Sequence, residues 1–65
     1  MQIVSRISKG HQFTLECVEY TVIGSQQIRG TYFYIVRNES TGQKQSVRRE
    51  NMLDWQKDDT LKFKM

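Results

Sequence analysis

Sixty-five residues make one domain, 1–65, and a chain this short buries only about 60% of the surface its unfolded form exposes. That leaves little material for a deep catalytic cleft, while 37% hydrophobic and 11% aromatic residues are enough for one small core and argue against wholesale disorder. Ten Lys and Arg against seven Asp and Glu give a net charge of +3, a mildly basic balance that permits an anionic partner without requiring one.

The residue types favour sheet. There is no Ala and no Pro, while Val, Ile, Thr and aromatics are plentiful, and β-branched and aromatic side chains suit a pleated, half-buried surface. Cys17 is the only cysteine. It excludes an intramolecular disulfide and a thiolate zinc site, and fits a reducing, cytoplasmic location. No apolar run approaches the ~20 residues of a membrane span.

In chain order, Met1 to Ser8 alternate loosely, with Ile3 and Ile7 on one face, and predict a first strand ended by a Lys9-Gly10 turn. Phe13, Leu15 and Cys17 then share one face, but at Val18 the apolar parity shifts to Val18, Tyr20 and Val22. A strand cannot change its buried face without a bend, so Phe13 to Ile23 is either one long bent strand or two short ones. Cys17, within that alternation, reads as core filler. Gly24 to Gln27 reads as a polar connection.

Ile28 to Arg37 is the strongest strand, apolar on both faces as a central strand is. Glu39-Ser40-Thr41-Gly42 makes a four-residue hairpin loop, with Gly42 supplying a left-handed conformation, and Lys44 to Arg48 returns. Arg49 to Trp55 breaks the alternation and predicts one or two turns of helix, with Trp55 either plugging the end of the fold or exposed as an anchor for a partner. Gln56 to Asp59 reads as a polar turn. Leu61 to Met65 forms a last strand, with Lys62 and Lys64 outward.

That loop fixes a register. Arg37 faces Lys44, Ile35 faces Ser46, Tyr34 faces Val47, Phe33 faces Arg48 and Tyr32 faces Arg49. Directly opposed residues share a face, so Tyr32, Tyr34, Val36 and Val47 turn to the core, and Phe33, Ile35, Arg37, Lys44 and Arg48 to the other side. Arg37 and Lys44 are like charges in direct opposition, an arrangement that an anionic partner would relieve. A plain solubilising role for the same cations is the alternative.

No catalytic residue, metal ligand set or cofactor motif emerges. His11 and Cys17 are a formal Cys–His pair without supporting pattern. Asp54, Asp58 and Asp59 lack calcium-loop spacing and suit turns and capping. No phosphate-cradling glycine loop is present.

Tyr32–Val47, then Glu50–Leu53, then Thr60–Phe63 set out a strand–turn–strand, a single helical turn and a short closing strand. This order resembles the small SH3-like barrels in the broad sense that includes KOW and Tudor-type domains. The resemblance implies an all-β, five-stranded SH3-like barrel with one short 3₁₀ or helical turn before its last strand, binding nucleic acid or protein and not acting as an enzyme. A second set, Met1, Ile3, Ser5, Arg6, Val18, Thr21, Val22, Gly24, Ser46, Val47, Arg49 and Glu50, is similar to the carbon storage regulator family of small RNA-binding dimers. That likeness implies RNA contacts at Ser5, Arg6 and Arg49. The chain departs from the family at Ser8-Lys9-Gly10-His11 and in having no proline.

The expectation is therefore a non-enzymatic regulator that binds RNA or DNA, of a kind that phages encode. Phosphates would be neutralised by Arg29, Arg37, Lys44, Arg48 and Arg49, with a base stacked on Phe33 or Tyr32. Ser5, Arg6, Tyr32 and Trp55 are secondary candidates. The rival is a protein-interaction module or an inhibitor of a host enzyme, since Tyr and Trp are favoured interface anchors. Monomer and homodimer both remain open.

Overall fold

The computed structural model describes residues 3–4 and 6–64. Five antiparallel strands form one sheet in the order β4-β3-β2-β1-β5, where β1 is Gln12–Leu15, β2 Val18–Ile28, β3 Thr31–Asn38, β4 Lys44–Arg48 and β5 Leu61–Phe63. One helix, α1, Arg49–Lys57, follows β4 without a loop. A sheet-dominated chain with one short helix agrees with the composition. The two edge strands, β4 and β5, are not paired with each other. Helix α1 packs against both and against β3, so it spans from one edge towards the other.

Two expectations about strands are corrected. Ile3, Val4 and residues 6–8 lie outside any strand; Ile7 packs against the core, and the Val4 backbone bonds the Gln56 side chain. Gly24 to Gln27 is not a connection but the second half of β2. The reversal falls later, at Arg29 (φ 50°) and Gly30 (φ 81°), between the paired Ile28 and Thr31. Two consecutive left-handed residues make a type I′ turn, whose twist matches that of the flanking strands.

The parity shift near Val18 has the same origin. Leu15 pairs with Val18 across a two-residue turn in which Glu16 (φ 50°) and Cys17 (φ 68°) are both left-handed. Cys17 is therefore exposed at a hairpin tip and is not core filler. A two-residue turn leaves an odd number of steps between the opposed Leu15 and Val18, which share a face, so the apolar parity flips across it. The long β2 is bent once more, by a register shift between Val22 and Gly24.

The third hairpin has the expected register over Phe33↔Arg48, Tyr34↔Val47, Ile35↔Ser46, Val36↔Gln45 and Arg37↔Lys44, but the expected Tyr32–Arg49 pair is not formed, because Arg49 begins the helix. Gly42 is left-handed (φ 79°), and its N–H donates to the Asn38 carbonyl at 2.7 Å. The Asn38 side chain accepts from the N–H groups of Ser40 and Thr41 at 2.8 and 3.1 Å, which shapes the rest of the loop.

Phe13, Val22, Tyr34, Val36, Val47, Met52 and Leu61 form the core, with Ile7, Leu15, Tyr20, Trp55 and Phe63 packed against it. Phe13 stacks on Tyr20 at 5.3 Å and meets Phe63 at 5.4 Å, tying β1 to both neighbours. Full burial of side chains such as Phe13, Met52 and Leu61 stabilises by roughly 1.5–3 kcal/mol each. Helix α1 buries Met52 and Gln56, one turn apart. It runs two residues further than predicted, to Lys57, taking Gln56 out of the expected polar turn and into the interior.

Candidate nucleic-acid interface

The residues singled out from sequence divide into two sets. Phe33, Arg37, Lys44 and Arg48 do share the outer face of the β3–β4 hairpin. Their charges, however, are largely answered within the chain. The Arg37 guanidinium reaches both oxygens of Glu39, Nε to Oε1 and Nη2 to Oε2, each at 3.3 Å. Thr21, which pairs with Arg37 across β2–β3, donates its hydroxyl to Glu39 Oε2 at 2.6 Å. These hydrogen bonds from Thr21 and Arg37 hold the Glu39 carboxyl below its ordinary pKa. Arg37 thus has an internal anion in Glu39, while Lys44 opposite it makes no ion pair among the described residues, so the like-charge pair is answered only on the Arg37 side. The signal was in the sequence, since residues two apart on an extended chain share a side. Arg48 likewise has Glu50, Nη1 to Oε1 at 3.6 Å. Phe33 is half-buried.

A second set gathers where the β2–β3 hairpin meets the start of α1. Thr31, Tyr32, Arg49, Glu50 and Leu53 line an open cleft of about 440 Å³. Tyr32, 41% exposed, is one of the few large apolar side chains at the surface. Its ring is braced edge-on by Tyr34 at 5.3 Å and its hydroxyl donates to Ser25 Oγ at 3.2 Å, so it is held in place while open to solvent. Tyr34 lies beneath. Burial pushes its hydroxyl pKa up, against the nearby charge of Arg49. Ile7 packs against the same core as Tyr34, and Arg6, the residue before it, is exposed. Arg29 sits in the turn leading into Thr31.

Among the described residues, no ion pair engages Arg6, Arg29 or Arg49, in contrast to Arg37 and Arg48. Arg48, the residue before α1, makes no side-chain hydrogen bond that caps the helix, so Arg49 opens a helix with no side-chain N-cap. Trp55 is half-buried against the core and not an exposed anchor. Ser5 lies outside the described residues. A second cleft of about 380 Å³, lined by Thr14, Glu16, Cys17, Asp59, Thr60 and Lys62, mixes both signs of charge and offers no ring. Among the described residues, no helix is long and apolar enough to cross a membrane, and no three His, Cys, Asp or Glu side chains are grouped to hold a metal ion.

No protein-family model, curated protein or solved structure matches this chain.

Proposed function

We propose that this chain is a non-enzymatic binding module for single-stranded nucleic acid, engaged at the corner between the β2–β3 hairpin and α1. The observation that carries the reading is the exposed, braced Tyr32 ring beside Arg49 on one open cleft. A base stacks on the ring, and Arg49, with Arg29 and Arg6, neutralises the adjoining phosphates. A ring open on one side favours unpaired bases, because a duplex keeps its bases stacked on each other. The strand order, the bent β2 and the helix between β4 and β5 support an SH3-like barrel as the scaffold. They do not by themselves specify a ligand.

The test is a chemical-shift titration of the full chain with short single-stranded RNA, single-stranded DNA and duplex DNA. Single strands are expected to move Tyr32, Arg49 and Arg29 first, with log K falling against log salt with a slope of about −2 for three phosphate contacts. Absence of shifts with all three oligomers at low salt sinks the proposal. A salt-insensitive association with one protein instead would move the reading to an interaction module.

A further inference from the structure

Strand β4 is an edge of the sheet, and Lys44, Gln45, Ser46 and Arg48 on it are exposed. The Asn38 N–H donates to the Gln43 carbonyl at 2.8 Å. Alternation along an antiparallel ladder then turns the backbone groups of Gln45 and Val47 towards β3, and those of Lys44 and Ser46 away from the sheet. Two N–H groups and two carbonyls thus stand ready for another strand. Side chains of Lys44, Ser46 and Arg48 lie together on the outer face, with Arg37 opposite Lys44.

Charge decides what fits. Two copies pairing antiparallel about Ser46 would set Lys44 of each against Arg48 of the other, like charges in direct opposition. We propose instead that the β4 edge accepts an extended acidic peptide segment of another protein as a sixth, antiparallel strand. Carboxylates on such a strand fall beside Lys44 and Arg48, and its backbone bonds Lys44 and Ser46. Glu50 already holds Arg48, but both side chains of that pair are more than half exposed, and such pairs compete weakly. The other edge, β5, has only three residues, Leu61–Phe63, and is the poorer acceptor. This inference does not rest on the Tyr32 cleft, which uses different side chains.

The probe is a synthetic seven-residue peptide with glutamate at its second and sixth positions and threonine or valine elsewhere. Titrated into the full chain, it is expected to slow amide exchange at Lys44 and Ser46 by about tenfold or more. A glutamine version is expected to bind at least about fivefold more weakly. Ser46→Pro removes an outward N–H while leaving the β3–β4 ladder intact, and is expected to abolish peptide binding without affecting oligonucleotide binding. Should that variant not fold, Lys44→Glu with Arg48→Glu leaves the backbone alone and is expected to reverse the preference to a lysine peptide. Unchanged affinity in either variant, equal affinity for the glutamine peptide, or β4 amides protected without peptide in a dimer would each overturn the proposal.

Discussion

Gln56 of α1 grips the backbone of Val4 with both ends of its amide. The Val4 N–H donates to Gln56 Oε1 at 2.7 Å, and Gln56 Nε2 donates to the Val4 carbonyl at 3.0 Å. Gln56 is 5% exposed, the one buried polar side chain among the described residues, and this pairing satisfies it. A residue near the start of the chain is thereby fastened to a helix near its end, holding Ile7 over the core. Gln56→Leu keeps the bulk and removes both bonds, leaving two backbone groups unpaired. The expected loss is about 1–3 kcal/mol, or a fall in Tm of roughly 4 °C or more for a domain of this size. Urea denaturation measures it, and an unchanged midpoint would show the strap to be incidental.

Glu39 gives the stability a pH dependence. Thr21 and Arg37 hold its folded pKa below the ordinary 4.5. A carboxyl with a depressed folded pKa contributes stability that is complete above the unfolded value and is lost as pH falls through the folded one. Melting temperature should therefore decline below the mid-4s, and Glu39→Gln should remove part of that decline. Parallel profiles for the two proteins would refute the assignment.

The end of α1 offers a stabilising change. Thr60 N–H donates to the Trp55 carbonyl at 2.8 Å and Asp59 N–H to that of Gln56 at 3.1 Å, the paired bonds of a Schellman termination. Asp59 occupies its left-handed position (φ 61°) where glycine is usual. Left-handed geometry costs a residue with a Cβ roughly 1–2 kcal/mol, offset in part by the chain entropy of glycine. Asp59→Gly is expected to stabilise by about 0.5–1 kcal/mol, read as a higher urea midpoint at unchanged slope.

The outer face and the cleft can be separated by charge reversal. Arg37→Glu with Arg48→Glu removes cations already paired with Glu39 and Glu50. Arg29→Glu with Arg49→Glu removes cations with no ion pair among the described residues. The second double variant is expected to weaken single-strand binding by an order of magnitude or more and to flatten its salt dependence, and the first to do far less. Equal losses would return the site to the outer face.

Much of the third hairpin was readable in advance. Asn38 to Gly42 is a loop with one economical geometry, and once Gly42 takes the left-handed place the pairing from Phe33–Arg48 to Arg37–Lys44 follows. The other two turns were hidden, because Glu16-Cys17 and Arg29 carry side chains where glycine or asparagine would have announced a type I′ reversal. Gln56 gave no signal at all. A polar residue is buried only where a distant partner is delivered to it, and Val4 is 52 positions away.

Local chemistry by itself determined the sheet, the β3–β4 register and which face of that hairpin meets the core, since side-chain alternation and loop length act between neighbours in the chain. The tertiary structure decided which cations stand beside an exposed ring and how a nearby carboxylate is shared. Arg37 and Arg49 are alike in sequence. Glu39 and Thr21 converge on the first, while the second stands beside an exposed tyrosine ring at the start of a helix. The Thr21 hydroxyl reaches Glu39 from the neighbouring strand, and the Tyr32 ring reaches the start of α1 across the fold; composition carries no record of either distance.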